Sequence, residues 1–217
     1  MMGVEVKVCG ITNKRDALNA LQAGANYLGF ILYPKSPRYV TLEDVKRVSD
    51  SLKDISCKKV AVDVAPKLED VALMQKADFQ YYQFHFPLDL DKEIIRQWSE
   101  MVGPSNLWLA PKLPTGANFP EYLLEYSETF VIDAYSPDKF GGTGKSADWK
   151  SFSEFQNLYP EKKWILAGGI GPDNIASAYQ KVDLQVVDIN SAVESEPGVK
   201  DEVKIKKLFL CLQELEK

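Results

Sequence analysis

The strongest constraint on this chain is a rhythm. Eight short runs rich in Val, Ile, Leu, Phe and Tyr recur along its 217 residues, separated by stretches of helical periodicity. The runs are "VEVKVC" (4–9), "YLGFIL" (27–32), "KVAVDV" (59–64), "FQYYQFH" (79–85), "LWLAPK" (107–112), "TFVIDA" (129–134), "KWILAG" (163–168) and "LQVVDI" (184–189). Between them, "NKRDALNALQAG" offers Asn13 as an N-cap and Gly24 as a stop. "TLEDVKRVSDSL" carries a Thr41/Asp44 capping pattern, "GPDNIASAYQK" has a proline near its first turn, and residues 200–216 read as a closing helix. Strands alternating with helices imply a parallel sheet covered by helices. Eight such units of roughly 27 residues fit a single-domain (β/α)8 TIM barrel spanning 1–217, with a doubly wound open sheet as the rival.

Composition narrows the function. No run of 18 apolar residues occurs, and "MMGVEVKVCG" places a lysine inside a strand pattern where a signal peptide would need an apolar core, so a cytoplasmic protein with no membrane partner is expected. The three cysteines, Cys9, Cys57 and Cys211, are widely spaced, and His85 is the one histidine available to join them. Neither a disulfide framework nor a metal site is expected from that spacing. A net charge of −5 argues against nucleic acid as the main partner. An anionic substrate would need local basic groups.

In a barrel of this kind the chemistry sits on the loops after the C-terminal ends of the strands. Outward strand residues must pack on apolar helices, so in the first run Val4, Val6 and Val8 point out while Glu5, Lys7 and Cys9 point in, with Cys9 at the mouth. Lys7 below it supplies positive charge, which lowers a thiol pKa from its free value of about 8.5. A buried structural cysteine is the competing role. The same parity in "TFVIDA" sends Thr129, Val131 and Asp133 inward and places Asp133 at the same mouth. A long loop follows, ending in "GGTG" with Gly142 and Gly144; "LAGGIGPDN" contains Gly168 and Gly169, and "DINSAVE" contains Asp188, Ser191 and Ala192. Glycine-rich backbone at a strand-to-helix transition can present N–H groups to a phosphate, and the loops after strands seven and eight are its usual place.

Taken together, "KVCGIT", "DALNALQAGANYLGFILYPKSPRYV", the Gln83/His85 pair, Asp133 followed by "GGTGKSADW", "LAGGIGPDNI" and "VDINSAVESEPGVKD" resemble the phosphoribosylanthranilate isomerase family of tryptophan biosynthesis, from about residue 5 to 205. The resemblance implies an Amadori rearrangement of N-(5'-phosphoribosyl)anthranilate to 1-(2-carboxyphenylamino)-1-deoxyribulose 5-phosphate with no cofactor and no metal. It implies Asp133 as general acid on the ribose ring oxygen and Cys9 as general base on the C2′ proton. Arg38, in "KSPRYV", matches the position that pairs with the anthranilate carboxylate, where a planar fork makes a bidentate contact. Gln83 and His85 match a supporting role in orienting the substrate, and Lys7 and Asp188 fall among its contacts. Lys35 adds positive field or is solvated, while Trp149 and Trp164 read as packing residues. The analogous isomerase of histidine biosynthesis resembles an aspartate pair at strands one and five, whereas here the first strand ends in Cys9. A phosphosugar-binding barrel without this activity is the other alternative. The resemblance leaves monomer and homodimer both open.

Four positions depart from the family's pattern. Phe86 stands where glycine is usual, Asp63 where an apolar residue is usual, Ala65 where asparagine is usual, and Ala192 where glycine follows the serine. Parity in "KVAVDV" sends Val60, Val62 and Val64 outward and Asp63 inward. There it would need a basic partner such as Lys7 or Lys112, and Phe86 would narrow the same mouth, weakening substrate binding.

Overall fold

The structure, a computed structural model, describes residues 3–52, 57–135 and 148–217. Eight parallel strands close into a barrel in the order β1 to β8, each paired with its neighbours in sequence and β8 with β1. They are β1 (Glu5–Val8), β2 (Tyr27–Ile31), β3 (Lys58–Val64), β4 (Tyr81–Phe86), β5 (Leu107–Pro111), β6 (Thr129–Ile132), β7 (Lys163–Leu166) and β8 (Val186–Ile189). Six of the sequence runs each enclose one strand, while β3 begins one residue before its run, at Lys58, and β4 ends one residue beyond its run, at Phe86.

The helices are α1 (Lys14–Ala23), α2 (Leu42–Asp50), α3 (Leu68–Met74), α4 (Lys92–Val102), α5 (Trp149–Leu158), α6 (Ile175–Lys181) and α7 (Glu202–Leu215). A 3₁₀ turn at Glu121–Glu125 follows β5 in place of an α-helix. Local chemistry sets the helix ends as expected. Asn13 accepts from the Asp16 N–H, Gly24 closes α1 at φ 114°, and Thr41 and Asp44 form a reciprocal capping box. Pro172 falls in the turn before α6, not within its first turn, because Asn174 accepts from the Gly171 N–H and delays the helix to Ile175.

Two apolar layers hold the barrel. Its interior is filled by side chains such as Val60, Val62, Trp108, Val131, Ile165 and Val186, and a larger shell lies between strands and helices. At the N-terminal end, Glu5 accepts from Tyr27 Oη at 2.9 Å and from Lys163 Nζ at 2.7 Å, closing the floor with a polar cluster. Inward parity in β1 and β6 is as the sequence indicated.

In β3 it is reversed. Val60 and Val62 face inward, while Ala61 belongs to the outer shell. The register explains this: Val62 pairs with Gln83, which faces the mouth, and Asp63 pairs with Phe84, which packs against Trp98 at 5.0 Å. In a parallel barrel both faces of a strand are buried, so alternation of apolar residues carries no parity signal. Asp63 therefore has no Lys7 partner. It accepts from the Val64 N–H at 2.7 Å, and burial pushes its carboxyl up to about 6. Phe86 also points outward, onto Trp98 at 6.0 Å, so it supports the shell and does not narrow the mouth.

Ala65, immediately after β3, has φ 43°, and its N–H donates to the His85 carbonyl at 2.8 Å. A left-handed conformation costs an L-residue roughly 1–2 kcal/mol, and asparagine tolerates it better than alanine. Ala65→Asn should therefore raise stability by about 0.5–1 kcal/mol, or Tm by roughly 1–4 °C. An unchanged or lower Tm by calorimetry would show that the turn carries no such strain.

Candidate active site

The mouth is built upward from one ion pair. The β1–β8 register sets Lys7 opposite Asp188, and Lys7 Nζ donates to Asp188 Oδ2 at 2.7 Å, with the Lys7 side chain fully buried. Burial works against the ammonium, but Asp188 and Cys9 beside it hold its pKa above the ordinary lysine value. Space for the lysine comes from Gly29 on β2: a Cβ there would lie 2.9 Å from both Cys9 Sγ and Lys7 Cε. A glycine inside a strand signals such a close approach, and it is a site-shaping residue that the sequence reading passed over.

Cys9 follows β1 directly, anchored by its N–H to the Ile189 carbonyl at 2.8 Å. Gly10 then turns the chain at φ 74°, where a Cβ would collide with Arg38 Cδ and Asn190 Oδ1, each at 2.8 Å. The expected lowering of the thiol pKa is not the net result. Burial pushes the Cys9 thiol up by more than Lys7 lowers it, and the charge of Asp188 adds to the rise. Asp133 follows β6 and accepts from the Ala134 N–H at 2.7 Å. Burial, reinforced by the charge of Asp188, raises its carboxyl to about 6, so it carries a proton over part of the neutral range.

Both groups line one cavity of about 420 Å³, together with Arg38, Gln83, His85, Gly168, Gly169, Asp188, Ser191 and Ala192. Lys35, Tyr33 and Asn190 also reach it, and Asp63 touches it from the outer side. Lys7 lies beneath, outside the lining. Gln83 Nε2 sits 2.9 Å from His85 Nε2, and burial, followed by the charge of Lys7, lowers the His85 pKa to about 3. A neutral imidazole of that strength is a poor proton acceptor, which fits a supporting role. Two acceptors, Gln83 Oε1 and Asp188 Oδ1, are buried without a hydrogen-bond partner among the described residues.

Gly168 and Gly169 have φ 82° and 66°, and a Cβ on Gly168 would lie 2.4 Å from the Ala134 nitrogen, so only glycine lets the loop after β7 pass this close to Asp133. Gly142 and Gly144 lie outside the described residues. Arg38 is buried and already holds a partner, Glu194, which the sequence reading did not single out. Trp164 packs in the outer shell as expected, and Trp149 lies half-buried under Lys181.

Fold and cavity together define a (β/α)8-barrel protein with an acid–base mouth. Over residues 6–210 the chain matches the family model described as N-(5'phosphoribosyl)anthranilate (PRA) isomerase, and it belongs to that family. It is 34% identical to the N-(5'-phosphoribosyl)anthranilate isomerase of Trichodesmium erythraeum, with 98% of each chain covered. It is also 34% identical to that of Thermotoga petrophila, covering 94% of this chain and 95% of the relative. Among solved structures, phosphoribosyl anthranilate isomerase from Thermus thermophilus superposes with a TM-score of 0.81 at 31% identity, covering 98% of this chain and 100% of that one.

The ion pair makes a direct prediction. Removing one partner of a buried pair strands the other charge, at a cost of about 3–5 kcal/mol, whereas replacing both with apolar groups is often near neutral. Lys7→Met should lose about that much in urea unfolding, and Lys7→Met with Asp188→Leu should recover most of it. A single variant costing under about 1 kcal/mol would show that Asp188 is solvated or protonated.

Proposed function

We propose that the mouth of this barrel catalyses the Amadori rearrangement of N-(5'-phosphoribosyl)anthranilate, with Asp133 as general acid and Cys9 as general base. The observation that carries this reading is the convergence of those two side chains, from β1 and β6, on one cavity in a chain of this family. A solved phosphoribosyl anthranilate isomerase in complex with reduced 1-(o-carboxyphenylamino)-1-deoxyribulose 5-phosphate superposes on this chain with a TM-score of 0.75 at 29% identity. A cavity of about 420 Å³ is in the range that accepts a ligand of that size.

In the reaction Asp133 gives its proton to the ribose ring oxygen as the C1′–O bond breaks, leaving an iminium between C1′ and the anthranilate nitrogen. The Cys9 thiolate takes the C2′ proton, and the electron pair moves to form the enolamine. The enolamine then tautomerises, C1′ gaining a proton as the C2′ hydroxyl loses one, to give the ketone at C2′. The unpartnered oxygens of Gln83 and Asp188 are suited to accept hydrogen bonds from sugar hydroxyls. Arg38 meets the anthranilate carboxylate, and backbone N–H groups at Gly168, Gly169, Ser191 and Ala192 meet the phosphate. Ala192 offers the same N–H as the glycine usual in the family. No helix among the described residues is long and apolar enough to cross a membrane.

Addition of N-(5'-phosphoribosyl)anthranilate should cause its fluorescence to decay at a rate proportional to enzyme; a stable signal would overturn the reading. Cys9→Ala and Asp133→Asn should each lower kcat by ~10²–10⁴-fold. The pH profile follows from the two shifts. Below about 6 Asp133 keeps its proton, and the rate falls with pH because thiolate is lost. Between about 6 and the raised thiol pKa, loss of the acid's proton cancels the gain in thiolate, giving a plateau. The break near 6 therefore belongs to Asp133: in Asp133→Asn it should vanish, the thiolate-dependent rise continuing up to the thiol pKa, and a plateau still beginning near 6 there would remove Asp133 from the acid role.

A further inference from the structure

Behind Arg38 lies a group of charges that the reaction steps do not use. A short hairpin, β9 (Glu194–Glu196) and β10 (Val199–Lys200), follows β8 and turns Glu194 and Lys200 into the protein. Glu194 Oε1 accepts from Arg38 Nε at 2.8 Å and Oε2 from Nη2 at 2.6 Å. The same Oε1 accepts from Lys200 Nζ at 2.8 Å and from the Gly198 N–H at 3.3 Å. Lys200 Nζ also donates to Asn190 Oδ1 at 2.8 Å, and its backbone N–H to Asp16 Oδ2 at 2.8 Å. Thr12 ties the turn of the hairpin down by donating to the Gly198 carbonyl at 2.7 Å.

Arg38, Glu194 and Lys200 are 8%, 6% and 3% exposed, yet of the three only Arg38 lines the cavity. A guanidinium has five N–H donors in a rigid fork. Glu194 takes the Nε/Nη2 edge and so fixes the plane, leaving the Nη1 side for a ligand. An unclamped arginine would lose rotamer freedom on binding, a cost that preorganisation avoids. Two cations meet one carboxylate in this triad, and with Asp16 and with Lys204, whose Nζ donates to the Glu194 carbonyl at 2.7 Å, the count is three against two, a local surplus of one positive charge. Without Lys200, Arg38 and Glu194 would cancel and offer an anion little field.

We propose that the 194–200 hairpin is a clamp that holds Arg38 ready for the substrate's carboxylate, with Glu194 as a positioning residue and Lys200 supplying the surplus charge. The inference rests on the reading of Arg38 as the carboxylate's partner. It assigns to Glu194 and Lys200 a part in substrate discrimination, although neither touches the cavity.

The test compares kcat/KM for N-(5'-phosphoribosyl)anthranilate with that for N-(5'-phosphoribosyl)aniline, which keeps sugar, phosphate and ring but lacks the carboxylate. Glu194→Gln with Lys200→Met, which removes the clamp and keeps the surplus of one charge, should lower the preference for the carboxylate-bearing substrate at least about tenfold, mainly through KM, as expected for weakening one charge-assisted contact. Turnover of the aniline compound should stay within about twofold, and Lys200→Met should act in the same direction. Glu194→Gln alone also removes the clamp but adds one positive charge beside Arg38, so its loss of preference should be smaller; it takes the place of the double variant where that does not fold. An unchanged preference in the folded variant, or a parallel fall for both substrates, would overturn the clamp. Arg38→Met separates the two levels: it should abolish the preference, and if it does not, the role of Arg38 itself fails and the clamp with it.

Discussion

The mouth of this barrel depends on a buried ion pair between Lys7 and Asp188. It joins the first strand to the last across the seam that closes the barrel, at a level where Lys7 has no access to solvent. A lone ammonium or carboxylate there would cost several kcal/mol or change its protonation state. Paired, they set a nearly neutral floor beneath the cavity. Gly29 has no side chain because Lys7 and Cys9 occupy that volume, and Gly10 has none because the stem of Arg38 does. The glycines within β2 and just after β1 are thus consequences of where the site's side chains lie.

That floor also decides how acid–base chemistry proceeds above it. Burial outweighs what Lys7 does for the thiol, with Asp188 acting in the same sense as burial, so Cys9 rests protonated. Asp133 is raised by the same burial. The state that the proposed reaction needs, with Asp133 protonated and Cys9 ionised, is therefore a minor one, populated evenly across the interval between the two pKa values. Arg38, Glu194 and Lys200 form a second buried charged group beside this floor.

Much of this was legible in the sequence. The strand–helix alternation yields the barrel because local periodicity and capping agree with the global fold, and Asn13, Thr41 and Asp44 cap as their residue types require. Cys9 and Asp133 could be placed at the mouth because a polar residue at the end of an apolar strand breaks a pattern. Asp63 breaks the pattern in the same way, yet it faces the outer shell. With both faces of β3 buried, only pairing with Gln83 and Phe84 across the strand fixes its direction, and pairing is non-local. Glu194 was missed for the same reason, since its partner Arg38 lies 156 residues away. Gly29 did leave a signal, a glycine inside a strand, whose meaning depends on side chains from β1. Phe86 shows the reverse error: a departure from the family's pattern read as a change in the mouth is a packing contact with Trp98.

The central claim is that the Cys9 thiolate removes the C2′ proton within this cavity. It is tested most directly by single-turnover kinetics with substrate carrying deuterium at C2′. The account predicts that deuterium slows the chemical step by a primary isotope effect in the wild-type protein, with residual turnover in Cys9→Ser still slowed by the same substitution. A rate indifferent to deuterium at C2′, or a Cys9→Ser variant with unaltered rate, would contradict it.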